Sequence, residues 1–394
     1  MRPSVIAVTD KFAPHAGGTA VVWTEYCRRW PLEAVRVITR RFPGSAAIDR
    51  QEPYRILRVP YLDVPKLRMP LLWAGLFGRT LWECARQRPD VLHCGQILET
   101  GLYAPWLKRR FGIPYCIHVY GEELSAYARR PRTRRWMQRV LEGASGIAAN
   151  SRFTQGLLRD AVGYTGPSLL TPPGVDADRF VPGDAAAARA HLGLGDGLVL
   201  LTVARLMRRK GHDRVLEVLP RLRRRFPDVQ YLIAGTGPEE ARLRRLAAEL
   251  GVEASVRFLG RVSDADLVPL FQAADVFVHP NRQTETGDVE GFGIVFLEAN
   301  ACGVPVVGGR SGGTVDAIRH GETGFLIDPD SSDELADTLT ALLSDPALRQ
   351  RLGRAGREWA ATFTWERSAG LVWNLTRQVA GQDVKPPPCG LLRP

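Results

Sequence analysis

Short β-branched runs alternate with longer amphipathic stretches along most of this chain. In the first half, Val5–Val8, Val35–Thr39, Ile56–Val59, Val91–His93, Tyr115–Val119 and Gly146–Ala149 read as strands. Between them, segments such as Ala20–Trp30, Leu71–Arg86 and Ser151–Ala161 carry apolar residues at helical spacing. Repeated strand–helix alternation predicts a parallel sheet covered on both faces. A cluster of turn formers, Pro167, Pro172, Pro173, Gly174, Pro182 and Gly183, precedes the alanine-rich helix Ala185–His191 and places a linker near 170–190. The alternation then restarts, with strands at Leu198–Val203, Val229–Ala234, Val256–Phe258, Val276–His279 and Val304–Val307. Helices at His212–Phe226, Glu239–Leu250, Asp264–Ala274 and Ile294–Ala301 lie between them. The pattern predicts two doubly wound α/β domains, 1–180 and 190–364, facing a central cleft with ligand at the carboxyl ends of the strands. The last helical pattern, 365–380, carries Trp365 and Trp373 and is expected to pack back on the first domain. The tail 381–394, with Pro386-Pro387-Pro388, is expected to be disordered.

Bulk properties narrow the function without naming it. The chain has 394 residues, enough for two ordinary cores, with a hydrophobic fraction of 45% and a charged fraction of 24%. The start lacks the apolar region of a signal peptide, and the greasiest stretch, Met69–Gly78, is about half of what a spanning helix needs. Six cysteines, at 27, 84, 94, 116, 302 and 389, have no zinc or redox spacing, so reduced thiols in a cytoplasm are expected. Lys+Arg 53 against Asp+Glu 42 gives +11, which suits donor phosphates, an anionic membrane or nucleic acid; an arginine-rich protein with no such partner fits as well. Nucleic acid is not expected, because no recognition motif is present and the arginines are spread over both halves.

The chemistry concentrates in Asp288-Val-Glu-Gly-Phe-Gly-Ile-Val-Phe-Leu-Glu-Ala. Glu290 lies in a glycine-containing loop where Gly291 and Gly293 let a bulky group approach the backbone. A helix starting near Gly293 aims the N–H groups of Gly293, Ile294 and Val295 at an anion such as a pyrophosphate. Glu298 follows one turn on, on the face of Ile294 and Ala301; an inward carboxylate there needs a partner, either ribose hydroxyls or a neighbouring loop. Arg205-Leu-Met-Arg-Arg-Lys210-Gly211 follows a strand, so Arg205 and Lys210 form a second candidate phosphate site, able to stabilise a departing diphosphate without a divalent ion. No D-x-D motif or ligand-spaced His/Asp cluster offers a metal site, so no metal or other cofactor is expected. Gly17-Gly18-Thr19 and Gly235-Thr-Gly-Pro238 let backbone come close to a ligand, or are plain turn chemistry. His118 ends a strand at the ligand edge, where it is structural or catalytic, and His93 ends the neighbouring strand and competes for the same role.

Together these residues resemble the retaining GT-B glycosyltransferases of family 4, the group that includes the phosphatidylinositol mannosyltransferases. The likeness runs over about residues 4–380 and is dense from Val203 to Pro329. Glu290 and Glu298 match the family's E-x7-E motif, Arg205 and Lys210 its basic pair, Gly17 and Gly18 its N-terminal glycine loop, and His118 its acceptor-domain histidine. The resemblance implies that Glu290 binds hydroxyls of the transferred sugar, Glu298 the ribose, and the amides of Ile294 and Val295 the β-phosphate. It implies that His118 lines the reaction centre, and that Gly312 and Gly313 close the floor of the donor pocket. Thr286-Gly-Asp288-Val-Glu-Gly-Phe-Gly is similar to the mannosyltransferase branch, which implies GDP-mannose, with UDP-sugars still open.

The expected reaction moves a hexose with retention onto a hydroxyl of a glycan or glycolipid, with the leaving diphosphate accepting the proton. Arg129-Arg-Pro-Arg-Thr-Arg-Arg-Trp-Met-Gln-Arg139 and Pro65–Phe77 suit peripheral docking on an anionic inner leaflet, or else form a solvated basic helix face and a core helix. The rival readings are a nucleotide-sugar epimerase on the same scaffold, a UDP-sugar-dependent transferase of a soluble small molecule, and an inactive scaffold subunit.

Overall fold

The computed structural model describes residues 2–383 apart from Ala16, Leu62, Asp63 and Lys66. Cys389 and the tail from residue 384 lie outside the described residues. The chain divides into two compact units, Met1–Pro173 together with Trp365–Pro394, and Gly174–Thr364.

Unit 1 is built on a seven-stranded sheet. Its strands are β1 (Val5–Val8), β2 (Val35–Arg40), β3 (Arg55–Val59), β4 (Val91–Cys94), β5 (Tyr115–Val119), β6 (Gly146–Ala149) and β7 (Leu169–Leu170). They are parallel throughout, in the order β3-β2-β1-β4-β5-β6-β7. Every residue of β1, β4 and β5 is buried, as a sheet covered on both faces requires. Strand order reverses between β1 and β4, so the loops leaving those two strands diverge and open a crevice at their carboxyl ends.

The C-terminal helix Trp365–Val379 belongs to this unit and packs on the helix Gly18–Arg29. Tyr26 Oη lies 2.9 Å from Ser368 Oγ, and Trp30 Nε1 donates to the Ala369 carbonyl at 3.1 Å. Trp365 fills the same seam against Tyr26, their rings 6.5 Å apart.

Unit 2 repeats the plan with six parallel strands in the order β10-β9-β8-β11-β12-β13. They are β8 (Val199–Val203), β9 (Gln230–Ala234), β10 (Val256–Gly260), β11 (Val276–His279), β12 (Val306–Gly309) and β13 (Gly324–Ile327). Here the reversal falls between β8 and β11. The loops that follow these two strands, 204–211 and 280–293, hold the residues singled out by sequence.

Three features differ from the sequence pattern. β7 and β13 are short strands that the alternation does not announce. β12 runs Val306–Gly309 rather than Val304–Val307, because Pro305 precedes it and two glycines end it. Residues 174–184, expected as linker, are part of unit 2: Val175 pairs with Thr364, and Phe180 packs edge-on to Phe271 at 5.8 Å. Gln272 holds the same segment through the Val181 carbonyl at 2.9 Å. The segment, with Pro182 in it, is a packed strap and not a free connection.

Candidate active site

Of the donor-binding candidates, Arg205, Lys210, Gly235, Gly293, Ile294, Val295 and Glu298 belong to unit 2, whereas Gly17 and Gly18 belong to unit 1. β8 delivers the chain to Arg205, whose loop is held against the loop after β9 by backbone contact. Leu206 N–H donates to the Thr236 carbonyl at 3.0 Å. A Cβ on Gly235 would stand 2.0 Å from the Ala204 carbonyl oxygen, and one on Gly237 would stand 2.4 Å from that of Leu206. Gly235 therefore supports the Arg205 loop by close backbone packing. The Arg205 side chain is exposed and has no hydrogen-bond or ion-pair partner among the described residues. Its carbonyl lies 3.4 Å from Nε2 of the buried His212, which ties the loop to the helix His212–Arg225.

Lys210 turns the other way and forms a largely buried ion pair with Glu290. Burial would push the Glu290 carboxyl up, but Lys210 first and Arg209 next hold it down at about 2. The cations around it thus favour the ionised form of Glu290. Burial lowers the Lys210 ammonium against the pull of Glu290.

Two further clamps fix this pair. Arg209 makes an ion pair with Asp288 at 3.1 Å. The loop after β11 is pinned by Arg282, whose guanidinium spans both oxygens of Asp213 at 3.0 and 2.7 Å and whose N–H donates to the Arg209 carbonyl at 2.8 Å. Behind Glu290, Gly313 N–H donates to its carbonyl at 2.8 Å. A Cβ on Gly312 would meet that carbonyl oxygen at 2.2 Å, and one on Gly313 would meet the Gly291 carbonyl oxygen at 1.9 Å. Asn281, fully buried, closes this arrangement by donating to Ser311 O and Thr314 Oγ1 at 3.1 and 2.8 Å.

The helix Ile294–Ala301 begins at Gly293, which has φ 92 and ψ 65. A side chain there would be strained, and its Cβ would strike the Phe296 ring at 2.6 Å. Phe296 N–H is used by the Gly293 carbonyl at 3.0 Å. The N–H groups of Gly293, Ile294 and Val295 have no acceptor among the described residues. A helix start with unpaired amides has the chemistry to take an anion, and Lys210 and Glu290 belong to the same loop system.

Glu298 shares the half-covered side of this helix with Ile294 and Val295, while Ala301 is on the buried side. Burial raises its carboxyl to about 7, with Arg179 opposing. The two acidic residues of the motif thus have opposite characters, one fixed as an anion and one neutral in mildly acidic solution.

The other candidates belong to unit 1. Gly17 (φ 152) caps the helix that Gly18 opens, and a Cβ there would meet nothing nearer than His15 at 4.0 Å. The space beside it is open, in contrast to Gly235. His118 is almost fully buried under Trp23, ring centroids 4.5 Å apart. The two histidines do not compete: His118 Nε2 lies 2.9 Å from His93 Nδ1, and His93 Nε2 lies 3.0 Å from Thr376 Oγ1 on the C-terminal helix. The Thr376 hydroxyl spends its only hydrogen on the Val372 carbonyl at 2.8 Å, so it accepts from His93 Nε2–H. His93 Nδ1 then accepts from His118 Nε2–H, and His118 Nδ1 is left as the unprotonated nitrogen. Burial depresses both rings, His93 to about 3, so neither is charged at neutral pH. Sequence reasoning missed Arg209, Asp213, Arg282, Asn281, His93's link and Thr376. A helix-opening acid such as Asp213 carries a faint signal; Thr376 carries none.

Two outcomes follow from these states. Glu298 ionises near 4.5 when unfolded and near 7 when folded, so the stability its neutral form contributes is complete below pH 4.5 and is lost as pH rises through about 7. Glu298→Gln should therefore be more stable than wild type at pH 8 by on the order of 1–3 kcal/mol in denaturant unfolding, and equal it near pH 4.5. A difference independent of pH contradicts this. Thr376→Val should reverse the hydrogen-bond direction, placing the proton of His118 on Nδ1, whereas Thr376→Ser should keep it on Nε2; imidazole 15N–1H correlation spectra distinguish the two.

Comparison with known proteins gives the site a family. Residues 185–359 match the pattern of Glycosyl transferases group 1, and residues 16–179 match Glycosyltransferase Family 4. The chain is 34% identical over 372 residues to the GDP-mannose-dependent alpha-(1-6)-phosphatidylinositol monomannoside mannosyltransferase of Mycolicibacterium smegmatis, covering 90% of this chain and 93% of that one. It is 32% identical over 379 residues to the monoacylated-substrate counterpart of Corynebacterium glutamicum, covering 94% and 97%. Among solved structures, sucrose-phosphate synthase of Thermosynechococcus elongatus superposes with a TM-score of 0.80 at 25% identity, covering 96% of this chain and 100% of that one. Anabaena HepE in complex with UDP and glucose gives 0.80 at 21%, covering 96% and 99%, a likeness of fold. With the E-x7-E pair, the basic loop and the helix amides assembled as described, the chain belongs to glycosyltransferase family 4 and is a hexosyltransferase of GT-B fold.

Proposed function

We propose that this enzyme transfers mannose from GDP-mannose, with retention and without a divalent ion, to a hydroxyl of a lipid-linked glycan or glycolipid at the inner face of a membrane. The observation that carries the reading is the Lys210–Glu290 pair beside the unpaired amides of the helix start. A diphosphate placed against Ile294 and Val295 is met by Lys210 and by the uncommitted guanidinium of Arg205. Glu290, in its ionised form, accepts hydrogen bonds from hydroxyls of the sugar, and Glu298 accepts them from the ribose. Choice of GDP-mannose is supported by the donor that the two relatives are named for and by the resemblance of Thr286–Gly293 to the mannosyltransferase branch.

As the C1–O bond breaks, charge grows on the β-phosphate oxygen. Cations and fixed amides stabilise that charge more than the ground state, and the same oxygen takes the proton of the incoming hydroxyl. His118 Nδ1, an acceptor, is suited to hold a substrate hydroxyl.

Membrane docking is supported by two surfaces of unit 1. The helix Arg68–Arg86 buries Leu72, Leu76 and Cys84 while exposing Leu71, Trp73 and Trp82. The helix Pro131–Gly143 buries Met137, Val140 and Leu141 and exposes Arg132, Arg134, Arg135, Arg139 and Trp136. Each is therefore part of the core on one side and offers cations or indoles on the other. Among the described residues no helix is long and apolar enough to cross a membrane.

A thermal-shift panel of GDP-, UDP- and ADP-sugars tests the donor. At about 100 times the dissociation constant, GDP-mannose should stabilise the protein by roughly 2.7 kcal/mol, and Glu298→Ala should remove the shift. Arg205→Ala should lower kcat by about 10²–10³-fold with no sensitivity to chelators in either protein. A UDP-sugar giving the largest shift would replace the mannose assignment. Reversal of Arg132, Arg134 and Arg135 to Glu should reduce co-sedimentation with anionic vesicles at least tenfold, each lost charge removing about 1 kcal/mol. Equal binding of wild type to neutral and anionic vesicles would defeat the docking.

A further inference from the structure

Unit 1 contains a pocket that the donor chemistry does not use. Its volume is about 80 Å³, and Lys11, Thr19, Glu99, Tyr120, Glu122 and Glu123 are among the residues lining it. The topology places it where a doubly wound sheet binds its ligand: Lys11 follows β1, Glu99 follows β4, and Tyr120 to Glu123 follow β5.

The wall is short of positive charge, and its donors besides Lys11 and the Gln96 amide are the neutral hydroxyls of Thr19, Tyr120 and Tyr127. Three carboxyl groups face one ammonium, and that ammonium is drawn toward Glu122, Nζ to Oε2 3.7 Å. The Gln96 amide, also on the wall, is committed to Thr9 Oγ1 at 3.1 Å. Glu123 is 9% exposed; its Oε2 accepts Ile97 N–H at 2.9 Å, and its Oε1 has no partner among the described residues. Glu99 Oε2 is likewise buried and unpartnered. Buried carboxylate oxygens without donors are costly, and two of them on one small pocket call for a ligand that brings donors with it.

We infer that this pocket seats the protonated amine of an amino-bearing polyol ring, so that the acceptor presents an amino sugar or aminocyclitol here and no phosphate. An ammonium supplies three N–H donors and the missing charge, whereas a phosphate would set anion against anion. That volume is several times what one water requires, which is room for a ring edge carrying the amine and a neighbouring hydroxyl. In the empty pocket burial first and Glu99 next push the Glu123 carboxyl well above its usual range, and burial with Asp10 raises Glu99, so an incoming cation is what favours their ionised forms. The inference rests on the proposed function only in taking this as the acceptor pocket of unit 1.

The test is a titration of the full chain, saturated with GDP, with D-glucosamine, D-mannosamine, D-galactosamine and scyllo-inosamine, each against its hydroxyl parent, and with D-glucose 6-phosphate. At least one amine should bind ten times more tightly than its parent, and the phosphate should bind no better than glucose. Glu99→Gln and Glu123→Gln should each reduce the preference to threefold or less. Should these variants fail to fold, the wild-type panel decides alone. No amine preference in any pair, tighter binding of the phosphate, or a preference unchanged in both variants overturns the inference. Absence of any GDP-mannose response would instead overturn the proposed donor reaction, and leave the ring preference readable.

Discussion

A lysine and a glutamate taken out of water together hold unit 2's site in place. Burying either alone would be prohibitive, and burying both is tolerated because each satisfies the other. The pair then dictates its surroundings. Arg209 and Asp288 form a second pair at its edge, and Asp213 anchors the loop after β11 through Arg282. Gly312 and Gly313 are required because the chain behind Glu290 passes within van der Waals contact of another backbone. Lys210 is thus held in place by its own loop system before any ligand arrives.

The acidic residues of the motif divide the work by environment. Glu290 is an anion because cations surround it, and Glu298 is near its titration point because burial outweighs the opposing charge of Arg179. In unit 1, polarity is set differently. Two uncharged rings in series, anchored by one hydroxyl, define which nitrogen faces outward without any net charge being buried.

Much of this was legible in the chain. Period and turn chemistry located eleven of the strands within a few residues, because parallel strands buried on both faces are apolar runs that helices separate. Glu290, Glu298, Arg205 and Lys210 could be read because they sit in short loops at fixed distances from strands. β13 escaped because four residues beginning with glycine have no period, and the 174–184 strap escaped because prolines mark turns whether or not the turns are packed. Gly235 and Gly17 look alike in sequence; only the atoms around them separate a glycine that lets two backbones touch from one that leaves open space. The Thr376–His93–His118 chain was beyond reach, since its members are 283 and 25 residues apart and nothing local records the pairing.

The C-terminal helix has a consequence for how the molecule is made. Unit 2 is nested inside unit 1, so a ribosome finishes Gly174–Thr364 before it supplies the last piece of the earlier fold. A nascent chain halted ahead of Trp365 already carries every donor-side residue, yet it lacks the hydroxyl that orients the histidine pair and the partners of Tyr26 and Trp30. The first unit is therefore the last to be completed, although its strands are the first to be made.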